Sequence, residues 1–315
     1  MSISMILKHN SGTAKLALLG AAFIWGSSFV VMKNTLSAMP TFYLLAIRFT
    51  MASALIAVLF RKHLRHLNRE YWKAGGIMGL LLLGAYVSQT FGLAGTTPSK
   101  NAFLTAVYCV IVPFFYWLFL RKRPDRYNIA AAILCIAGIG FVSLNDDMSI
   151  LPGDLLTLLC GFLYAGHIIA VAKFSREKDI FMLTLVQFVT AAVLAWVFGF
   201  VSEPFPAVWS ASTTGSLFYL GIFATGIALL FQNIGQKYTE PTTASILLTM
   251  ESVFGVICSV LFYHEQVTAR MLMGFALIFV ATICSETKFS FLGKKVHPAS
   301  EGMGKVPTGT EEEMR

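Results

Sequence analysis

Two charged residues of this chain stand where charge is hard to keep. Arg48 is eight residues beyond Pro40 in one long apolar run, and Glu251 is ten residues beyond Pro241 in another. At 1.5 Å per helical residue, Glu251 lies about 15 Å deep, near the middle of a hydrocarbon core roughly 30 Å thick. A charge there costs about 2.5–3.5 kcal/mol on insertion scales, so neither side chain can face lipid and each needs a cavity or a partner. For Glu251 this is either a carboxyl that takes up a proton or a substrate ammonium group, or a fixed hydrogen-bond partner joining two helices. Arg48 cannot shed its charge. It either meets a substrate carboxylate or anchors carbonyls and acids where helices meet.

Other polar and aromatic groups share that depth. Trp25 and Tyr164 each fall about ten residues into an apolar run, below the interfacial belt where such rings usually sit. Ser28 and His167, three residues further on, share their helix faces. Tyr86 with Gln89, Gln232 with Thr225, and Tyr108 complete the set. Candidate substrate-binding residues are therefore Trp25, Arg48, Tyr86, Gln89, Tyr108, Tyr164, His167, Gln232 and Glu251, with Glu251 also the candidate for proton coupling. Several could be plain helix contacts, because hydrogen bonds between membrane helices average about 0.6 kcal/mol.

The rest of the sequence holds no soluble chemistry. There is no phosphate loop, no H-E-x-x-H, no G-x-S-x-G and no Cys/His metal spacing. No catalytic residue, metal site or cofactor is expected, and without room for an ATP-binding domain the energy source must be a gradient. The five cysteines lie inside apolar runs and read as small buried hydrophobes.

These groups are carried by a chain that is 56% hydrophobic and 13% charged, with a mean hydropathy of +0.70; a soluble domain carries about 25% charge. Ten apolar stretches are long enough to cross a bilayer: 15–34, 40–60, 74–95, 98–120, 127–145, 154–173, 180–201, 213–236, 242–263 and 268–287. The first is too long for a signal-peptide core and reads as an uncleaved helix. The polar tail 288–315 cannot bury enough apolar area to order itself and is expected to be disordered.

The net charge of +8 is topological. With the N-terminus inside, Lys and Arg gather in the segments around 61–73, 121–126 and 173–178 and in the tail, leaving only Lys33, Lys100 and Arg270 outside. This bias places both termini in the cytoplasm. It also removes the case for a nucleic-acid partner.

The chain repeats itself. A shift of 139 aligns Phe23–Phe29 with Phe162–Ile168, Arg48-Phe49 with Gln187-Phe188, and Ala52 with Ala191. A shift of 143 aligns Gln89 with Gln232, Gly92 with Gly235, Pro98 with Pro241, Leu104 with Leu247 and Phe119 with Phe262. Each half holds five spans, an odd number, so the second copy must sit upside down. The expected fold is an all-α membrane protein of ten transmembrane helices in two inverted five-helix repeats, residues 1–145 and 146–287, with the tail after them. Inverted repeats are the architecture of secondary transporters, which bind substrate near the midplane where the repeats meet.

At these residues the chain resembles a known family. AAFIWGSSFVVMK (21–33), AIRF (46–49), SQTFGL (88–93), NAFLTAVYCVIVPF (101–114) and the run from Ala244 to Phe279 are similar to the EamA-type branch of the drug/metabolite transporter superfamily. The resemblance implies an inner-membrane carrier, not an enzyme, that moves small organic metabolites such as amino acids, usually outward. The chain departs from the family pattern at Lys122, opposite Glu265 in the repeat, and at Ser252, where a proline is common. A broad exporter of organic cations is the nearest alternative, and a membrane-embedded lipid-modifying enzyme a more distant one. The expected partners are a small-molecule substrate, the bilayer and, through Glu251, protons. The sequence leaves the substrate, the coupling ion, the direction and the oligomeric state open.

Overall fold

The computed structural model describes residues 11–288 apart from residue 122 and residues 145–149, 176–177, 207–209 and 239–240. All but the first residue of the tail lies outside the described residues. Among those described, the chain is helical from end to end, with one isolated bridge between Leu144 and Ile150.

Ten transmembrane helices follow the apolar runs. They are α1 (Ser11–Thr35), α2 (Thr41–Leu59), α3 (Arg69–Ala94), α4 (Pro98–Ala106, then Tyr108–Leu120), α5 (Arg126–Ser143), α6 (Pro152–Phe174), α7 (Ile180–Ser202), α8 (Ala211–Phe218, Tyr219–Ile227, Ala228–Tyr238), α9 (Pro241–Cys258, Ser259–Tyr263) and α10 (Ala269–Thr287). Nine are long and apolar enough to cross a membrane, and the apolar stretch Leu247–Tyr263 belongs to the tenth. A short 3-10 turn, Arg61–His66, joins α2 to α3.

Local chemistry decides where the helices begin. The side chains of Asn68, Thr97, Asp125, Asp179, Ser210 and Thr268 each accept a backbone N–H from the first turn that follows, which satisfies donors a helix start otherwise leaves bare. At α2 the capping position is Pro40, which has no such side chain. Glu203, beyond the end of α7, accepts from the N–H groups of Phe42 at 2.8 Å and Tyr43 at 3.4 Å instead.

The two halves pack by exchange. Helix α1 lies against α8 and α9 of the second half, while its counterpart α6 lies against α3 and α4 of the first. Likewise α2 meets α7 and α8, and α7 meets α2 and α3. Glycines show the correspondence residue by residue. A methyl group on Gly92 would meet Thr157 Oγ1 at 2.5 Å and the Gly153 carbonyl at 2.9 Å; one on Gly235 would meet Leu18 Cγ at 2.5 Å and the Ala14 carbonyl at 3.1 Å. Positions 153 and 157 are 14 and 18 shifted by 139, and 235 is 92 shifted by 143. Bare backbone at both sites lets α3 approach α6 as closely as α8 approaches α1.

Helices α5 and α10 form a pair at the side of the bundle. They touch through Gly138 and Gly274 and through Asn128, whose amide donates to the Ser285 hydroxyl at 3.1 Å. With part of α4 they enclose a core of their own around Phe103, Phe275 and Ile278. The larger core, built on Tyr43, Phe49, Leu82 and Phe188, binds α2, α3, α7 and α8.

Two features break the symmetry. Residues 219–227 of α8 and 259–263 of α9 are wound as π-helix, whereas α3 is α-helical throughout. In α4 the ladder is interrupted at Val107, immediately before Tyr108, and Pro113 lacks the N–H that would bond to the Cys109 carbonyl.

Candidate functional site

Where the halves meet, seven helices leave a cavity of about 60 Å³, several times the roughly 10–15 Å³ that one water needs on the same measure. Helices α1, α2, α3 and α4 line it from the first half and α6, α8 and α9 from the second. All nine sequence candidates line it: Trp25, Arg48, Tyr86, Gln89, Tyr108, Tyr164, His167, Gln232 and Glu251. Phe29, Met32 and Thr105 join them without having been singled out. Their signal was available, since Phe29 and Met32 follow Trp25 by one and two helical turns and Thr105 precedes Tyr108 by one.

Arg48 is 2% exposed. Its Nε donates to Thr225 Oγ1 at 3.1 Å, one terminal nitrogen faces the Met32 sulfur at 3.2 Å, and the guanidinium lies 4.9 Å from the centre of the Tyr86 ring. No carboxylate pairs with it among the described residues. The π-helical stretch of α8 makes this arrangement possible. Thr225 donates to the carbonyl of Leu220, five residues back, at 2.8 Å, and the Ala224 carbonyl turns aside to accept from Trp25 Nε1 at 2.8 Å. A wide turn at this point fits the tendency of π-bulges to occur at functional sites.

Tyrosines form one wall. The rings of Tyr86 and Tyr164 are 5.8 Å apart and those of Tyr108 and Tyr164 are 6.2 Å apart. One turn further along α6, His167 Nε2 meets Gln187 Oε1 at 2.8 Å. A carbonyl oxygen only accepts, so in this contact Nε2 is the donor. Gln187, the repeat partner of Arg48, therefore orients a cavity residue rather than lining the cavity. Gln89 donates to Thr105 at 3.2 Å.

Glu251 and Gln232, which both line the cavity, are left without such ties: neither makes a hydrogen bond or ion pair among the described residues. The site thus carries a cation without an anion and a carboxyl group without a cation.

Polar ties join the helix ends near Lys33. Lys33, at the end of α1, donates to the carbonyls of Leu93, Ala94 and Thr96 at 2.7, 3.0 and 2.8 Å. Glu265, beyond α9, accepts from the N–H of Ser99 at 3.1 Å and from the Ser259 hydroxyl, tying down the start of α4 as Glu203 ties down that of α2. These two glutamates were not foreseen as caps, because each reaches a helix more than 150 residues away. Asp154 accepts from Thr96 at 2.5 Å and pairs with Lys100 at 3.5 Å. Among the described residues no cluster of three or more His, Cys, Asp or Glu could hold a metal ion.

Helices that pack by exchange around a central polar cavity define a polytopic membrane protein of the transporter class. The model of the EamA-like transporter family matches residues 12–144 and again 151–286, and the chain belongs to that family. It is similar to an uncharacterized transporter of Archaeoglobus fulgidus, 31% identical over 271 residues covering 86% of this chain and 84% of that one. It is similar also to the uncharacterized transporter YoaV of Bacillus subtilis, 26% identical over 291 residues covering 89% and 98%. A solved crystal structure, 19% identical and covering 90% of this chain, superposes with a TM-score of 0.63, a likeness of fold. As a member of a transporter family the protein is not an enzyme; its partners are a small-molecule substrate and the bilayer.

Proposed function

We propose that the protein is a secondary exporter of small zwitterionic metabolites, amino acids or close relatives, working by alternating access around the cavity at the repeat interface. One observation carries the reading: Arg48 and Glu251 line the same cavity, and neither pairs with an opposite charge among the described residues. A buried charge held for structure alone would be expected to have its counter-ion built in. A carboxylate and an ammonium group on one substrate supply both. Trp25 and the tyrosine wall would pack against the apolar part of that substrate, and Gln89, His167 and Gln232 would offer hydrogen bonds.

The Lys and Arg distribution supports a plasma (inner) membrane protein with both termini in the cytoplasm. Export would then load substrate from the side of the 61–73 segment.

The aromatic lining supports a second reading, export of lipophilic cations, through the attraction of a cation to ring faces. Counterflow in proteoliposomes separates the two. With a panel of amino acids and of lipophilic cations, a zwitterion site requires both Arg48 and Glu251, so alanine at either removes exchange. A cation site tolerates Arg48→Ala and loses exchange only with Glu251→Ala. Exchange of neither class by the parent protein would overturn both.

A further inference from the structure

A second hollow, sharing no lining residue with the transport cavity, lies between helices of the bundle. Between α2, α3 and α7 there is a groove of about 340 Å³, walled by Ser53, Ala54, Ala57, Trp72, Val186 and Val189. It is shaped by absence: small residues on α2 stand where their neighbours Val58 and Leu59 project and are 71% and 49% exposed. The only hydroxyl in the wall, that of Ser53, already donates to the Phe49 carbonyl at 2.7 Å, and the rest of the wall is apolar apart from the indole N–H of Trp72.

Its depth fits one leaflet. Val186 and Val189 come six and nine residues after the start of α7, about 9–14 Å along the helix, and Ala57 and Ser53 come two and six residues before the end of α2. The groove therefore runs from the membrane surface through most of a hydrocarbon half-thickness of about 15 Å.

The rim is cationic. Arg61, Lys62, Arg65, Arg69 and Lys73 are all exposed, and none is in an ion pair among the described residues. The acids nearby are engaged elsewhere: Glu70 with Lys178 at 2.5 Å and Asp179 with His63 at 2.6 Å. Trp72, half exposed, sits where groove and rim meet and is flanked in sequence by rim cations.

We infer that this groove and rim form a binding site for an anionic phospholipid, with an acyl chain along Ala57 and Val189 and the phosphate on Arg61, Lys62 and Arg65. Charge complementarity selects the guest, since a zwitterionic lipid could fill the groove but would not neutralise the rim. On the orientation proposed above, this is a lipid of the cytoplasmic leaflet. The assignment does not depend on what the transporter carries.

Trp72 is a built-in reporter. A variant keeping Trp72 as its sole tryptophan is reconstituted in mixed phosphatidylglycerol and phosphatidylcholine vesicles, with bromine on the chains of one lipid or the other. Brominated phosphatidylglycerol should quench Trp72 more than brominated phosphatidylcholine at equal mole fraction. Neutralising Arg61, Lys62 and Arg65 to Gln should remove the difference, by up to about fivefold in enrichment per cation. On the unaltered chain, native mass spectrometry should show retained phosphatidylglycerol, reduced by those same changes and by Ala57→Phe, which fills the groove. Equal quenching by the two lipids would overturn the inference. So would phosphatidylglycerol retention that survives neutralisation of the rim, or retention unchanged by Ala57→Phe, which would leave a headgroup patch without a chain site.

Discussion

The Nε of Arg48 donates to the hydroxyl of Thr225 at 3.1 Å, joining the second helix of one repeat to the third helix of the other. The bond forms because α8 is wound wide at this level, so that Thr225 spends its own proton on Leu220 and turns a lone pair to the guanidinium. Apart from the terminal nitrogen that faces the Met32 sulfur, the guanidinium's other donors have no partner among the described residues and can receive a planar carboxylate, which a lysine ammonium could not grip in the same way.

The first prediction follows. Arg48→Gln should raise KM for a carboxylate-bearing substrate by about tenfold to a hundredfold, the 1.5–3 kcal/mol of a hydrogen bond to a charged group. Arg48→Lys should recover only part of this. Thr225→Val should change KM by a few-fold, through loss of orientation. Counterflow kinetics in proteoliposomes measure all three, and an unchanged KM in Arg48→Gln would make the arginine a structural anchor.

The repeat supplies a second prediction. Added methyl groups at Gly92 and Gly235 meet matching surroundings, but at Gly92 two backbone atoms, the Gly153 carbonyl at 2.9 Å and the Thr157 nitrogen at 3.0 Å, stand in the way, whereas at Gly235 the nearest atoms belong to the Leu18 side chain and the Ala14 carbonyl is at 3.1 Å. Backbone cannot swing aside. Gly92→Ala should therefore lower the melting temperature of the detergent-solubilised protein more than Gly235→Ala, within the usual overpacking cost of about 1–3 kcal/mol. Equal losses would mean that the two contacts yield alike.

Much of this architecture was legible because a bilayer demands long apolar runs and forbids stray charge. Arg48 and Glu251 stood out by type, and Trp25 and Tyr164 by the repeat. What could not be read was the winding: nothing in YLGIFATGI distinguishes a π-helical stretch from an ordinary one, and the Trp25 to Ala224 bond depends on it. Nor could Glu203 and Glu265 be recognised as caps for α2 and α4, since sequence reveals a cap only when it is adjacent to the helix it serves.

Orientation is open to a direct check. Arg123, between α4 and α5, and Ser37, between α1 and α2, are both exposed. Single cysteines at these positions in a cysteine-free background should differ, only the one at position 37 reacting with an impermeant thiol reagent added to intact cells. The reverse pattern would invert the assignment.

Acid should loosen the pairing of α5 with α10. Asp125 caps α5 and holds Lys288, past the end of α10, at 2.5 Å. Burial pushes its carboxyl up, but the Lys288 ammonium together with the Asn128 and Tyr127 N–H groups outweighs this and leaves its pKa below the ordinary value. A carboxyl lowered on folding stabilises above its unfolded pKa, near 3.9, and loses that contribution as pH falls through the folded value. The melting-temperature gap between the parent and Asp125→Asn should be full at neutral pH and should close below about pH 4. A gap independent of pH would exclude the ionic contribution.

Coupling is the role of Glu251 that most needs testing. The residue lines the cavity, and no described residue gives it a hydrogen bond or a counter-ion. A carrier must turn its site from one side of the membrane to the other, and carrying an uncompensated charge through that change is unfavourable in low dielectric. A proton on the carboxyl would remove the penalty when the empty site returns, which would link substrate movement to proton movement in the opposite direction. Glu251→Gln keeps the volume and imitates the protonated state. If the carboxyl couples the two fluxes, this variant should fold and still exchange substrate across a membrane without a gradient, but should no longer accumulate it in response to a pH difference. If the carboxyl only grips the ammonium group, exchange itself should fall. Accumulation equal to that of the parent would remove Glu251 from the mechanism. Melting temperature measured beside transport separates these outcomes from loss of the fold.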